Sequence, residues 1–287
     1  MSGSPSAKFT AACVQMCSGR NVEANIEAAV ELVTDAAMAG ASFIATPEMT
    51  SIMENDRPRL LASLKPQDED PALHRLSALA RELSVWLLIG SLPIRQGEKA
   101  VNRSFLIDPQ GAIAARYDKI HMFDVDLANG ESYRESASFV AGEESVMADL
   151  PWCQLGMTIC YDVRFPQLYR VLAESGASVF SVPAAFTKQT GEAHWHVLQR
   201  ARAIENGAFV IAPAQGGRHE NKRETYGHSL IVSPWGEILA EAGTEPGIIL
   251  AEIDLILVAQ ARERIPSLKN GRAFSCPRPA PTLKAAS

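Results

Sequence analysis

Gly156-Met-Thr-Ile-Cys160-Tyr-Asp-Val-Arg-Phe-Pro166 joins a short apolar run, starting at Leu155, to a helical pattern carrying Leu168, Val171 and Leu172. So short an apolar run reads as a buried strand, and the spacing after it reads as a helix. The same unit recurs downstream. Residues 177–182 are a second apolar strand, broken by Pro183, residues 194–206 are helical, and residues 208–212 are a third strand. Residues 229–239 read as a hairpin turning at 234–236.

The first half follows the same style. Residues 9–16 form a β-type run, and Asn21 can cap a helix with Ile26, Val30, Val33 and Ala37 on one face before Gly40 stops it. Residues 42–46 are an apolar strand ended by Pro47. A helix over 71–84, carrying Leu73, Leu76, Ala80 and Leu83, leads into a strand at 85–90. Residues 101–107 and 112–117 flank the turn Asp108-Pro-Gln-Gly111. Continuous apolar strands belong to sheets covered on both faces, whereas hairpins make the sheets mixed. The expectation is one α/β domain of layered sheets and helices over residues 8–268. Residues 1–7 are expected to be a disordered start. Residues 269–287, Pro- and Ala-rich from Cys276, are expected to be an extended tail, either disordered or an arm at a dimer interface.

Composition narrows the function classes. The 287 residues are 47% hydrophobic and 21% charged, with a formal net charge of -6. Scattered Lys and Arg argue against a nucleic-acid footprint and against a polybasic membrane anchor. No apolar run approaches the roughly 20 residues that span a bilayer. The first residues lack a charged-then-apolar leader pattern, so a cytoplasmic location is expected. Five cysteines (13, 17, 153, 160 and 276) without a C-x-x-C pair read as reduced, mostly buried thiols.

Cys160 stands out by position. It lies between a strand end and a helix start, where unpaired N–H groups would lower the thiol pKa and, with Tyr161's N–H first, could hold an oxyanion. Glu48 and Lys119 also follow strand ends, where active-site groups gather in layered α/β folds. A glutamate in a closed pocket, its pKa raised towards neutral, could move the thiol proton, and a lysine could stabilise the oxyanion. Taken singly, each has an ordinary reading as a core thiol, a solvated carboxylate or a surface ammonium.

Pro47-Glu48, Tyr117-Asp-Lys119-Ile-His-Met-Phe, Arg134-Glu135-Ser and the stretch from Gly156 to Pro166 together resemble the signatures of the nitrilase superfamily of carbon–nitrogen hydrolases. The order Glu, Lys, Glu, Cys matches over residues 8–265. The resemblance implies a four-layer αββα sandwich, a Glu48-Lys119-Cys160 triad, and Glu135 as the second glutamate that positions the lysine. It also implies no metal or other cofactor, and a homodimer or higher homo-oligomer crossed by C-terminal arms. Residues 183–196, 200–206 and 215–229 resemble the Nit branch. The last stretch is more similar to amidases of deaminated glutathione than to ω-amidases of α-ketoglutaramate. That implies an amide of a small α-keto carboxylic acid as substrate. Arg218, Lys222 and Arg223 give this last stretch a basic character suited to a carboxylate. Arg164 is a candidate for the substrate pocket, as are Tyr161, Ala185 and Phe186.

Three rival readings stand beside this one. His194-Trp-His196, with His219 and His228 downstream, suggests a zinc amidohydrolase, but helical residues two apart face different ways. A non-catalytic binding module of the same fold would be expected to lack one of the triad residues. A nitrilase would use the same thioester, so the triad cannot separate amide from nitrile; the Nit-like context favours the amide.

Overall fold

The computed structural model describes residues 8–127 and 130–275. The expected disordered start at 1–7 and the tail from 276 onward therefore lie outside the described residues. In the first half, β1 (Lys8–Gln15) leads to α1 (Val22–Met38) and β2 (Phe43–Ala45). A short α2 (Arg57–Ser63) and α3 (Pro71–Leu83) precede β3 (Trp86–Gln96), β4 (Lys99–Ile107) and β5 (Ile113–Asp118). Short strands β6 (Asp124–Asp126), β7 (Ser132–Arg134) and β8 (Phe139–Val140) follow. The second half runs β9 (Val146–Asp149), β10 (Gln154–Met157), α4 (Pro166–Glu174), β11 (Val179–Ser181), α5 (Lys188–Asn206) and β12 (Phe209–Ala212). A ribbon of β13 (Gly216–Arg218) and β14 (Glu224–Tyr226), a hairpin of β15 (Leu230–Val232) and β16 (Ile238–Glu241), β17 (Gly247–Asp254) and α6 (Ile256–Arg264) complete it.

Two mixed sheets stack face to face. One has the order β17-β1-β2-β3-β4-β5, with β8 beside β4; the other has the order β16-β15-β12-β11-β10-β9. The twofold period of a strand explains how the first sheet serves two cores. Ala11 and Cys13 of β1, Phe43 and Ala45 of β2, and Leu88 of β3 enter the core between the sheets. Their neighbours Ala12, Val14, Ile44, Leu87 and Ile89 face the opposite way, onto α1 and α3. Helices α4 and α5 cover the outer face of the second sheet through Tyr169, Leu172, Trp195 and Ala203. The layering is the expected αββα sandwich.

The helix ends follow the local chemistry. Asn21 caps α1 by accepting from the Ala24 N–H, and Asp70 caps α3 from Leu73, with Pro71 in the first turn. Two details differ from the sequence expectation. On α4 the buried stripe is Leu168, Tyr169, Leu172 and Ala173, which turns Val171 outward to half exposure. The helix expected at 194–206 begins earlier, at Lys188, because Thr187 supplies its cap.

Gly90 shows how tightly the sandwich holds the chain next to Glu48. Its N–H donates to Thr46 Oγ1 at 3.0 Å, and a Cβ there would run into the Thr46 and Pro47 carbonyl oxygens. Gly90→Ala is expected to cost about 1–3 kcal/mol of stability through overpacking. Shifting Glu48 should also lower kcat on the order of 100-fold. A denaturant melt and a kcat measurement on one preparation check both. An unperturbed variant would mean that this close approach does not set the position of Glu48.

Candidate active site

Four chain segments bring the site residues to the floor of one cleft of about 250 Å³. Glu48 follows β2, Lys119 follows β5, Glu135 begins a short 3-10 turn after β7, and Cys160 follows β10. Lys119 Nζ lies 2.9 Å from Glu48 Oε1 and 2.8 Å from Glu135 Oε2, and its side chain is only 2% exposed. Asn102 donates through Nδ2 to both carboxylates, at 2.9 and 3.1 Å. The Ala185 N–H donates to Glu48 Oε2 at 2.9 Å, and the Phe123 N–H donates to Glu135 Oε2 at 2.7 Å. The Cys160 thiol shares this floor with Glu48 and Lys119, close enough for their charges to act on it.

Burial and charge divide the protons among these groups. Burial pushes the Glu48 carboxyl up, but the Lys119 ammonium and its hydrogen bond outweigh that and hold it below the usual carboxylate value. Burial opposes the charge on Lys119, yet Glu135 and Glu48 raise it well above an ordinary lysine. Burial and the neighbouring Glu48 charge push the Cys160 thiol well up, and Lys119 offsets only part of this. The resting cluster is therefore an ionised Glu48, a charged Lys119 and a protonated thiol. This corrects two expectations from the sequence. Glu48 is not raised towards neutral, because a cation sits against it. The thiol is not lowered by a helix end, because Cys160 opens a five-residue 3-10 turn and α4 begins only at Pro166.

Cys160 has φ of +49°, an uncommon conformation for a residue with a side chain. Its N–H donates to the Pro183 carbonyl at 2.9 Å. Asp162, fully buried, ties down the same turn. Its Oδ2 accepts from the Ile159 N–H and from the Tyr117 hydroxyl, both at 2.8 Å, and its Oδ1 accepts from the His121 N–H at 3.1 Å. A sharp turn held by a buried carboxylate lifts the thiol out of the strand and into the cleft.

The other expected pocket residues divide by role. Tyr161, Arg164 and Phe186 line the cleft, and the Arg164 guanidinium lies 5.4 Å from the Phe186 ring centre. Ala185 lines it too, but its backbone N–H holds Glu48. Of the three basic residues in the 215–229 stretch, only Arg223 lines the cleft; Arg218 lines a separate shallow depression and Lys222 is exposed. None of the six histidines lines the cleft. As their spacing implies, His194 and His196 part company, the first against Arg164 and the second against Glu241.

The residues missed from the sequence are Asn102, Asp162 and Gln215. Gln215 Nε2 donates to the carbonyls of Glu48 and Met49 at 3.0 and 3.3 Å. Asn102 offered one signal, a polar residue within a largely apolar strand, Gln215 only its place just after the strand at 208–212, and Asp162 only its place two residues after Cys160.

The chain resembles known proteins along most of its length. It is 42% identical over 267 residues to a deaminated glutathione amidase of Synechocystis, covering 91% of this chain and 97% of that one. It is 32% identical over 265 residues to human omega-amidase NIT2, covering 92% and 95%. Among solved structures, the Caenorhabditis elegans NitFhit protein superposes with a TM-score of 0.86 at 35% identity. That match covers 92% of this chain and 65% of the worm protein. With the model of the carbon-nitrogen hydrolase family matching residues 10–263, the two sheets and the cleft between them have a place: the chain belongs to the carbon–nitrogen hydrolase family.

Proposed function

We propose that this enzyme hydrolyses the amide of a small α-keto carboxylic acid through a Cys160 thioester, with deaminated glutathione as substrate. The observation that carries the reading is Lys119 Nζ clamped between Glu48 and Glu135, with Cys160 beside them on the cleft floor. Glu48, already ionised, takes the thiol proton as sulfur attacks the amide carbon. The carbonyl oxygen becomes an oxyanion facing Lys119 Nζ and the Tyr161 N–H. The carbon–nitrogen bond breaks, the departing amine takes the proton from Glu48, and a thioester remains. Water then attacks the thioester, giving its proton to Glu48, which returns it to the leaving sulfur. Glu135 keeps Lys119 pointed at the oxyanion. No step needs a metal or other cofactor. We further propose a cytoplasmic homodimer; among the described residues, no helix is long and apolar enough to cross a membrane.

The carboxylate preference rests on two arginines. Arg164 and Arg223 both line the cleft, and among the described residues neither is paired with a carboxylate. By contrast, Arg134 is held by Asp126 at 2.8 Å. Arg223 lies 5.2 Å from the Tyr133 ring centre, and its buried Nε has no protein partner. Arg223 also donates to the Ala185 carbonyl and Arg164 touches His194, but a guanidinium in a cleft with no carboxylate of the protein against it is suited to a substrate carboxylate. The test of substrate choice is kcat/KM for deaminated glutathione against α-ketoglutaramate. The expected result is a clear preference for the first; preference for the second moves the enzyme to the ω-amidase reading favoured by its NIT2 likeness. Activity on neither would overturn the substrate class.

The proton distribution sets the pH profile. Glu48 must be ionised to act as base, and it sits below its ordinary 4.5, so the acid limb of kcat/KM should fall below that value. The thiol lies above its ordinary 9.0, so no alkaline gain from thiolate formation is expected near neutrality. A flat profile across the neutral range is the expected outcome. An acid limb centred near pH 6 or 7 would show a raised carboxyl acting in its place.

A further inference from the structure

Two histidines and a glutamate from three separate elements meet outside the cleft. His196 lies in α5, His228 between β14 and β15, and Glu241 at the end of β16. His196 Nε2 and His228 Nδ1 each lie 2.8 Å from the same oxygen, Glu241 Oε1. One donor atom from each residue lies within 4.8 Å of the other two. The Tyr226 ring stacks on His228 at 4.3 Å and meets His196 edge-on at 5.9 Å. The three side chains are 26–34% exposed, so the cluster opens to solvent on one side. The catalytic reading uses none of them.

We propose that His196, His228 and Glu241 form a binding site for a divalent transition-metal ion of the zinc type, separate from the catalytic cluster. The donor set decides the class of ion. Two imidazole nitrogens and one carboxylate oxygen suit zinc and its neighbours, whereas calcium and magnesium take oxygen ligands. A tetrahedral ion with bonds of about 2.0–2.1 Å holds its ligand atoms about 3.3 Å apart, so each nitrogen–oxygen separation needs to open by about half an ångström. Side-chain rotation supplies that, and solvent fills the fourth position. On binding, each imidazole nitrogen that faces Glu241 ligates as the neutral base, and any proton it carried leaves to solvent. The ion would tie α5 to the β15–β16 hairpin. Because α5 starts at the cap residue Thr187, next to Phe186 of the cleft wall, this tie would brace that wall without entering the reaction.

The test uses the full chain carrying Cys160→Ser, so that the reactive thiol does not capture metal. The chelator-stripped protein is titrated with zinc chloride in a calorimeter and with cobalt(II) in a spectrometer. The expected result is one ion per chain, with a Tm that rises with zinc concentration by mass action. His228→Asn keeps a residue that tolerates the local φ of +54°, and with Glu241→Gln it should weaken zinc affinity by about tenfold or more. His196→Gln, on a helix, gives the same reading should the turn at residue 228 fail to fold. No zinc uptake by the parent, or uptake unchanged in these variants, would overturn the assignment.

Discussion

Cys160→Ala is expected to lower amide hydrolysis on the order of 10⁴-fold or more, with substrate affinity nearly unchanged. Covalent chemistry splits one hard step into two, and a methyl group offers no electron pair for the first. Among the described residues no other thiol is placed to substitute. Cys13 is fully buried and pushed well above its ordinary value, and Cys153 is pushed up to about 12, both by burial. Cys17 is also raised, and neither it nor the other two lines the cleft. Cys276 lies outside the described residues. The variant should fold as the parent does, because alanine fits wherever cysteine does at this backbone angle. The paired measurement is steady-state kinetics together with intact-protein mass after brief mixing with substrate. The parent should gain an acyl mass on Cys160, and the variant none. Full turnover by Cys160→Ala would end the thioester mechanism.

Lys119→Met should be nearly as damaging to activity, and unlike Cys160→Ala it should also destabilise the fold. Removing Lys119 leaves the Glu48 and Glu135 carboxylates facing each other through Asn102 with no cation between them. Breaking a buried ion cluster in this way costs about 3–5 kcal/mol, and Glu135, 13% exposed, places the loss near the lower figure. The pH dependence separates this from a simple packing defect. In the parent, Glu48 has a folded-state pKa below its ordinary 4.5, so its contribution is present above that pH and is lost as pH falls through the folded value. In the variant the neighbouring carboxylate and burial would raise Glu48, so stability should instead improve as pH falls from 7 towards 5. The double variant Lys119→Met/Glu135→Gln should recover stability but not activity. Denaturant melts at pH 5 and pH 7 read both effects. If Lys119→Met melted like the parent at each pH, the clamp would have no structural role.

Much of the sandwich was legible because its strands are local apolar runs. The edges of β1, β4 and β5, and the turn between β4 and β5, follow from residues within a few positions of each other. By contrast, β17 went unread. It pairs antiparallel with β1 from Lys8–Asp254 to Gln15–Gly247, across more than two hundred residues. Nothing local in Gly247-Ile-Ile-Leu-Ala-Glu-Ile-Asp says which strand it joins. The ribbons β6–β7 and β13–β14 escaped for a related reason: Asp-Val-Asp, Ser-Tyr-Arg, Gly-Gly-Arg and Glu-Thr-Tyr hold no apolar run, unlike the equally short β2 and β11.

The site divides in the same way. The sequence by itself determined the chemistry available: a thiol, two carboxylates and an ammonium at strand ends or in the loops that follow, in an order similar to the carbon–nitrogen hydrolase signatures. Only the tertiary structure decided which groups hold those four in place and where the protons rest. Asn102 bridges the two glutamates, Asp162 holds the Cys160 turn, and Gln215 reaches Glu48 from 167 residues away. The proton positions depend on a 2.9 Å contact between Lys119 and Glu48, and charge interactions in a buried site change steeply with distance and with loss of water. Separation along the chain carries no information about either quantity. That is why the sequence could put Glu48 forward as a candidate base but place its pKa on the wrong side of normal.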